Sequence, residues 1–209
     1  MDGVQKTFDK WAQNGRAELM EIEHGKNVSK FLDSISFEKP FSFLDMGCGN
    51  GWVVRKMSQI ENCKKAVGID KSKKMIIQAK KKTTSKKQSF VHTDIESWKY
   101  NGKFDYIFSM ESLYYADSID VALRRIFKLL KPGGKFFCGT DFYSDNKATA
   151  RWAGIMKIQM HLHSKNEWKK FFKDAGFEVK TKPVKDLKNK KKWKKEWGTL
   201  FITGTKPVK

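Results

Sequence analysis

The residues of this chain that could do chemistry begin with one acidic residue and a run of glycines. Asp45 follows the short apolar segment Phe41–Leu44, and every second residue of the turn after it is glycine: Gly47, Gly49 and Gly51. Glycine suits positions where the backbone turns tightly or where a ligand lies against it. The next segment has apolar residues at helical spacing, and a helix N-terminus there would favour a polar or negatively charged ligand. The stretch predicts a strand, a ligand-binding turn and a helix.

The spacing of this turn distinguishes it from the Rossmann dinucleotide fingerprint. That fingerprint is G-x-G-x-x-G, whereas the chain has D-x-G-x-G-x-G from Asp45 to Gly51. This pattern resembles motif I of the class I S-adenosylmethionine (SAM)-dependent methyltransferases, and four further stretches follow in that family's order. The whole pattern is most similar to the small-molecule branch that contains type 11 and ubiquinone–menaquinone methyltransferases.

The resemblance implies SAM as cofactor and S-adenosylhomocysteine (SAH) as product. Asp70, nineteen residues after Gly51, would accept hydrogen bonds from both ribose hydroxyls, although it or Ser72 could instead cap the next helix. Asp94 would accept the adenine amino group, and the Ile95 N–H would donate to the ring, although that segment could be a plain turn. The implied cofactor residues are Trp11, Asp45, Gly47, Cys48, Gly49, Asn50, Gly51, Asp70, Lys71, Thr93, Asp94, Ile95, Ser109 and Met110.

Residues 109–115 lie at the carboxyl end of the predicted fourth strand, at the switch point where open α/β sheets bind ligands. The resemblance places them beside the sulfonium and the incoming acceptor. Glu111 replaces the Asn-Pro-Pro-Tyr type of sequence found in DNA, some RNA adenine and protein glutamine methyltransferases, which argues against an amino-group acceptor on a base. Tyr114 and Tyr115 could form pocket walls, or one could pack under the loop. The candidate catalytic residues are Glu111, Tyr115 and His161.

The least regular segment, residues 142–163, falls where the family inserts substrate-specific structure. Four large apolar residues there could line an acceptor pocket or pack within a helix: Trp152, Ile155, Met156 and Met160. His161 could be a general base or a structural residue. No spacing of potential ligands indicates a metal site, and no metal is predicted.

Residues 1–38 precede the first core strand and carry apolar residues at helical spacing. They could form a helical cap over a sheet edge or a lid over the cofactor, since N-terminal segments of the family often cover that pocket. The candidates for a lid are Trp11, Arg16, Met20 and His24. The predicted organisation is this cap or lid followed by a SAM-binding domain at residues 39–209, with the insertion on its substrate side.

The order of the predicted elements indicates an α/β fold. Seven segments read as strands: residues 41–44, 66–69, 89–92, 104–109, 136–140, 177–182 and 198–204. The helix that begins at Ile119 has an apolar stripe and ends at the turn Lys131–Gly134, and Ser164 with Glu167 forms a capping box. The resemblance implies a Rossmann-like, seven-stranded, mostly parallel sheet with an antiparallel last strand and helices on both faces.

The chain carries 43 Lys and Arg against 23 Asp and Glu, a net charge of +20. Such a field attracts nucleic acid or anionic surfaces, but it could also be ordinary surface solvation, and bidentate phosphate recognition would favour Arg, which is scarce here. The densest run, Lys190–Lys195, includes Trp193 and precedes Trp197. This mixture suits single-stranded nucleic acid, an acidic acceptor or a solvated hairpin at the ligand face.

Three features favour the cytoplasm. Cys48, Cys63 and Cys138 have no C-x-x-C pairing and no zinc spacing, which fits a reducing compartment. No apolar run reaches the roughly 18 residues of a membrane span, and the N-terminal sequence lacks the apolar region of a signal peptide. The oligomeric state is not predicted.

Together, these inferences predict methyl transfer from SAM by in-line displacement at the sulfonium methyl. Positioning and desolvation would supply most of the acceleration, and a base is needed only for a protonated acceptor. A small-molecule acceptor is the leading hypothesis. The alternatives are an RNA methyltransferase, for example on tRNA, that uses the basic surface, and a SAM-binding regulator without catalysis.

Overall fold

A seven-stranded sheet forms the centre of the computed structural model, which describes residues 3–208. The strands are β1 (Phe41–Met46), β2 (Cys63–Asp70), β3 (Gln88–His92), β4 (Phe104–Met110), β5 (Leu130–Thr140), β6 (Glu178–Val184) and β7 (Thr199–Thr205). Their order is β3-β2-β1-β4-β5-β7-β6. The first five strands pair in parallel, whereas β7 lies antiparallel between β5 and β6. The predicted fold, with its antiparallel last strand, is confirmed.

Helices cover both faces of this sheet. They are α1 (Gly3–Gln13), α2 (Arg16–Leu32), α3 (Trp52–Ser58), α4 (Lys73–Lys81), α5 (Ile119–Leu129), α6 (Trp152–Met156), α7 (Lys165–Asp174) and α8 (Lys192–Glu196), with a 3-10 turn at Leu113–Tyr115. Successive strand residues point to opposite faces, so Phe43 of β1 packs with α2 and α3 whereas Leu44 packs with α5 and α7. Within residues 3–208, no helix combines the length and the apolar character needed to cross a bilayer.

The connectivity determines where a ligand can bind. β1 and β4 are neighbours in the sheet, but the chain forms β2 and β3 before it returns to β4. The loops after β1 and β4 therefore leave the sheet in different directions, and a crevice opens between them at the carboxyl ends of the strands. Asp45 near the end of β1 and Glu111 after β4 lie at this crevice.

Two predicted turns have a different structure. The segment Lys131–Gly134 belongs to β5, where a bulge separates the pairs Phe104–Leu130 and Tyr106–Lys135. The basic run is not a simple solvated hairpin, because it contains α8, which buries Lys194. The capping box of Ser164 and Glu167 is present at the start of α7, as predicted.

Candidate active site

A cavity of about 650 Å³ lies at the carboxyl ends of β1 to β5. Residues after β1, β2 and β3 form one part, which we call the β1–β3 side. Residues after β4 and β5 form the other part together with α6 and α8, and we call this the β4–β5 side. Helices α1 and α2 contribute the remaining wall. The volume is typical of a small-molecule or cofactor site.

The glycine turn after β1 belongs to the β1–β3 side. A Cβ atom on Gly51 would come within 2.6 Å of the Phe90 ring, so this glycine permits close packing of the turn on β3. Gly49 has a φ of 52°, and a Cβ atom there would have no atom within 4 Å. Because Gly49 also lines the cavity, it is the glycine of this turn against which a ligand can lie.

Asp70 joins the end of β2 to the glycine turn and lines the cavity. Its Oδ2 accepts a hydrogen bond from the Gly49 N–H at 2.9 Å, and its Oδ1 accepts one from the Ser72 N–H at 2.7 Å. Burial raises the pKa of Asp70 to about 6, although both N–H groups oppose the shift. Ser72, not Asp70, is the N-cap of α4, because its Oγ accepts a hydrogen bond from the Met75 N–H at 3.1 Å. Each Asp70 oxygen accepts one hydrogen bond from the protein and keeps a second lone pair for a ligand.

The segment after β3 is a turn that also faces the cavity. Thr93, Asp94 and Ile95 all line the cavity. The Asp94 carboxylate accepts hydrogen bonds from the Ser97 N–H at 2.8 Å and the Ser97 hydroxyl at 2.7 Å. Burial alone would raise the pKa of Asp94, but the Ser97 donors outweigh it and hold the pKa below its ordinary value. The carboxylate thus stays ionised at the edge of the β1–β3 side.

Glu111, directly after β4, has an unusual backbone and an unusual carboxyl group. Its φ of 52° is rare for a residue with a side chain, and such strain is concentrated at functional sites. The carboxylate accepts hydrogen bonds from the Tyr114 hydroxyl at 2.9 Å and from the Asp141 N–H. Burial, reinforced by the Asp141 charge, raises the pKa of Glu111 to about 7. A carboxyl group that titrates near neutral pH can act as a general base.

Asp141, directly after β5, is fully buried and lines the cavity beside Glu111. Its Oδ1 accepts a hydrogen bond from the Thr199 hydroxyl at 2.6 Å. Its Oδ2 accepts no hydrogen bond and lies 3.4 Å from His24 Nδ1 and 3.9 Å from Lys194 Nζ. Burial would raise the pKa of Asp141, but His24, Lys194 and Thr199 hold it below its usual value. No motif in the sequence singles out Asp141.

Aromatic rings form much of the cavity wall. Six aromatic side chains from α1, the loop after β4, α6 and α8 line the cavity: Phe8, Trp11, Tyr114, Tyr115, Trp152 and Trp193. Phe8 meets Tyr115 edge to face, with ring centroids 5.3 Å apart, and Trp152 meets Trp193 in the same way at 5.9 Å. Both tyrosines are therefore walls of the cavity. Ile155 and Met156 also line it, whereas Met160 packs against the core.

The structure brings most of the predicted cofactor residues to this cavity: Trp11, Asp45, Gly47, Cys48, Gly49, Asn50, Asp70, Lys71, Thr93, Asp94, Ile95 and Met110. It does not bring Gly51 or Ser109 there, and Ser109 is fully buried. Of the candidate catalytic residues, Glu111 and Tyr115 line the cavity and His161 does not. The His161 ring instead contacts the Ala116 carbonyl, with Nε2 at 3.0 Å from the oxygen.

Comparison with protein families gives a match between residues 13–182 and the family described as a methyltransferase domain. Among similar curated proteins, the malonyl-[acyl-carrier protein] O-methyltransferase of Priestia megaterium is 29% identical over 140 residues, which are 65% of this chain and 47% of the relative. The trans-aconitate 2-methyltransferase of an Acidovorax species is 29% identical over 114 residues, 54% of this chain and 43% of the relative. The chain spans about half the length of the curated relatives it matches.

Solved structures match over nearly the whole chain. One is a complex between the Haloferax volcanii Trm112 methyltransferase activator and a methyltransferase, with 27% identity, a TM-score of 0.90 and coverage of 96% of this chain and 97% of that chain. The N-methyltransferase NodS of Bradyrhizobium japonicum, solved with SAH, has 19% identity, a TM-score of 0.74 and coverage of 99% and 100%, and it shows the fold alone. The chain therefore belongs to the methyltransferase-domain family, the SAM-dependent class I methyltransferases with a Rossmann-like fold.

Proposed function

We propose that this protein transfers the methyl group of SAM to a small-molecule acceptor. The observation that carries the proposal is a single cavity in which Gly49 and Asp70 on the β1–β3 side share one space with Glu111 and Asp141 on the β4–β5 side. The open face of Gly49 and the available Asp70 carboxylate suit an adenosyl group. The cofactor would occupy the β1–β3 side and the acceptor the β4–β5 side.

In this proposal the residues of the chain position the reactants and exclude water. SAM supplies a methyl group that is already activated by the sulfonium. Asp70 would hold the ribose, and the rings of Tyr115 and Trp152 would hold the acceptor in line with the methyl group, which supplies most of the acceleration. Glu111 would take the proton that a protonated acceptor must lose. Exclusion of water from the cavity would strengthen each of these electrostatic contacts.

Helices α1 and α2 would act as a lid over the cofactor. Asp9 of α1 connects this lid to the domain, because its Oδ1 accepts hydrogen bonds from the Ser72 hydroxyl at 2.6 Å and the Lys74 N–H at 3.1 Å. Trp11 lines the cavity from the same helix, and Arg16 lies over its ring at 5.4 Å. In this proposal, residues 1–38 shield the cofactor from water and residues 39–209 bind it.

RNA as the acceptor has less support in the basic run. Lys194 is buried and faces Asp141, whereas Lys191 pairs with Glu23 at 2.9 Å and Lys192 with Glu196 at 3.5 Å. Lysines with partners inside the protein contribute less to phosphate binding, which depends on releasing counterions from the nucleic acid. We therefore rank a small acceptor above RNA.

A protein partner also belongs to the proposal. The Haloferax volcanii relative was solved with a Trm112 methyltransferase activator, and we infer that a comparable activator binds this chain. Co-expression with a Trm112 protein should give a stable complex with higher turnover, and two proteins that elute separately would contradict this inference.

All three cysteines are free and buried, which supports the cytoplasm as the proposed location.

The cofactor assignment is tested by titrating SAM into the wild type and into Gly49→Val. The new side chain would fill the space where the ligand lies, and SAM affinity should fall at least 100-fold. Gly133→Val is a matched control, because Gly133 also has a positive φ, of 74°, and lies in β5 outside the cavity and the proposed lid. Equal SAM affinity in Gly49→Val and wild type would refute the assignment.

The acceptor class is tested with SAM that carries a labelled methyl group, offered tRNA or a small-molecule extract. We expect label in the small-molecule fraction. The double variant Lys192→Gln, Lys195→Gln changes two exposed lysines outside the cavity and should retain this activity. Label in tRNA that the double variant loses would favour RNA, and SAM binding without label in either fraction would favour the regulator.

A further inference from the structure

The cavity differs in charge from the protein that surrounds it. The chain has 43 Lys and Arg against 23 Asp and Glu. The cavity nevertheless has twice as many acidic side chains as Lys and Arg: Glu21, Glu23, Asp45, Asp70, Asp94, Glu96, Glu111 and Asp141 against Arg16, Lys71, Lys191 and Lys194. A surface that attracts anions thus encloses a site that favours cations. SAM carries a net charge of +1, which balances only part of this acidic excess.

The acidic cavity residues outside the β1–β3 side differ in whether a Lys or Arg side chain neutralises them. Three of them have a Lys or Arg partner, in the pairs Glu21–Arg55, Glu23–Lys191 and Asp141–Lys194, at 3.8, 2.9 and 3.9 Å. Glu111 forms no ion pair anywhere in residues 3–208. A buried carboxylate without a cation is destabilising when ionised. A positively charged ligand would supply the missing partner.

A series of aromatic rings runs from α1 to α8 and includes Tyr114, whose hydroxyl donates a hydrogen bond to Glu111. All of these rings except Phe142 line the cavity. Five successive contacts connect α1 to α8, with ring centroids 5.3, 4.4, 5.1, 6.4 and 5.9 Å apart: Phe8–Tyr115, Tyr115–Tyr114, Tyr114–Phe142, Phe142–Trp152 and Trp152–Trp193. Aromatic faces attract ammonium groups and give neutral or anionic groups no such gain. The rings and the unpaired carboxylate therefore favour the same kind of ligand.

A third observation also points to a ligand with N–H donors. Asp141 is fully buried at the cavity wall, and its Oδ2 has only two longer contacts, with His24 Nδ1 at 3.4 Å and Lys194 Nζ at 3.9 Å. Because neither contact is a short hydrogen bond, this oxygen could still accept one from a ligand N–H. Asp141 Oδ2 and the Glu111 carboxylate belong to the same wall, at the adjacent ends of β4 and β5.

We propose that the methyl acceptor is a small organic amine, bound as its ammonium ion by Glu111, Asp141 and the surrounding rings. This inference rests on the proposed function and specifies its substrate class. An ammonium ion would complete the ion pair that Glu111 lacks and donate to Asp141 Oδ2. A carboxylic acid would place a third negative charge beside these two carboxylates. The alkyl or aryl part of the amine would pack against Tyr115, Trp152 and Trp193.

The reaction balances with SAM, the amine and Glu111 alone. The bound ammonium transfers one proton to the Glu111 carboxylate and becomes a neutral amine with a free electron pair. That pair forms the new N–C bond as the S–C bond of the sulfonium breaks, and the bonding electrons stay on sulfur as SAH leaves. The product is a methylated ammonium ion, and Glu111 releases its proton to water. No oxidant or reductant is needed.

The test uses calorimetry on the full chain saturated with SAH and three probes of similar size and shape. Phenethylamine should bind at least tenfold more tightly than 2-phenylethanol or 3-phenylpropionate. Glu111→Gln should lower phenethylamine affinity at least tenfold, whereas Glu178→Gln, at an exposed position outside the cavity, should not change it. Trp193→Leu is a second variant and should lower phenethylamine affinity more than 2-phenylethanol affinity.

The outcomes separate this inference from the proposed function. SAH titration of each sample reports whether the cofactor site is intact. If SAH binds the wild type and phenethylamine has no advantage over the alcohol or the acid, the amine inference is overturned and the proposed function stands. The same conclusion follows if Glu111→Gln and Trp193→Leu both bind SAH and keep wild-type phenethylamine affinity. If SAH does not bind the wild type, the proposed function itself fails.

Discussion

The two sides of the cavity are built from the chain in different ways. On the β1–β3 side, the motif from Asp45 to Gly51 is seven consecutive residues, the last two of β1 and the turn after it, and Asp70 contacts this turn from the neighbouring strand. On the β4–β5 side, His24, Asp141 and Lys194 meet although they come from α2, the end of β5 and α8. One side depends on backbone shape and the other on side chains that only the complete fold brings together. Sequence motifs therefore identify the first side far better than the second.

The largest expected effect is a loss of stability when the buried ion pair of the β4–β5 side is broken. Lys194→Met leaves Asp141 buried without its lysine partner, and both side chains are almost completely buried. Removal of one member of a buried pair costs about 3–5 kcal/mol, a fall in melting temperature of roughly 2–4 °C per kcal/mol for a chain of this size. Differential scanning calorimetry measures this fall in melting temperature.

Lys192→Met is the matched control for that change. Lys192 is in the same helix and pairs with Glu196 at 3.5 Å, but its side chain is 85% exposed. Its replacement should change the free energy of unfolding by at most about 0.5 kcal/mol. Equal melting temperatures for the two variants would mean that the buried network does not stabilise the β4–β5 side.

The pH dependence of stability should show how much ionisation of Glu111 destabilises the folded protein. Its pKa is about 7 in the folded protein, above its ordinary value of 4.5, so between these values the folded state binds more protons than the unfolded state. The free energy of unfolding of the ligand-free protein should therefore fall as pH rises from about 5 to 7. At about 1.4 kcal/mol per pKa unit, the Glu111 contribution is about 3 kcal/mol.

Urea unfolding at pH 5, 6, 7 and 8 measures this contribution. Glu111→Gln should remove the Glu111 part of this decline, whereas Asp45 and Asp70, whose pKa values burial also raises, contribute declines in the same direction that the variant retains. A wild type and a Glu111→Gln variant with parallel pH profiles would show that the Glu111 carboxyl is not buried at this cost.

A smaller effect should test the β1–β3 side alone. Asp70→Asn removes one carboxylate oxygen that a ribose hydroxyl would use, so SAM and SAH affinities should each fall by about 1.5–3 kcal/mol, roughly 10- to 100-fold. Asp105→Asn is the control, because Asp105 also accepts a backbone N–H bond, from Ser42 at 2.8 Å, but lies outside the cavity. If Asp70→Asn and Asp105→Asn bind SAM equally well, the Asp70 carboxylate stabilises only its own loop and does not bind the ribose.

The fold could be predicted almost completely from the sequence, since apolar segments and glycine turns mark each strand. The bulge in β5 could not, because a Lys-Pro-Gly-Gly sequence reads as a turn and only the pairing of β5 with β4 keeps it in the strand. Helix α8 was also missed, because its five residues are mostly lysine and have no apolar period. What sets its position is the buried contact of Lys194, which joins residues far apart in sequence.

The candidate site shows the same limit. Gly51 matched the motif, but the Phe90 ring from β3 occupies the space beside it, and no local pattern reveals that neighbour. His161 has the right chemistry for a base, yet the chain directs its ring to the Ala116 carbonyl. Asp141 was overlooked because a single Asp after a strand looks like any turn residue until Glu111, His24 and Lys194 surround it.

A crystal structure of the protein with bound SAH tests the central claim most directly, because the claim is that one cavity holds the cofactor on one side and the acceptor on the other. The account predicts both ribose hydroxyls within hydrogen-bond distance of Asp70, adenine beside Asp94 and Ile95, and the sulfur directed at the space between Glu111 and Tyr115. SAH bound outside this cavity, or with its sulfur directed away from Glu111, would contradict the account.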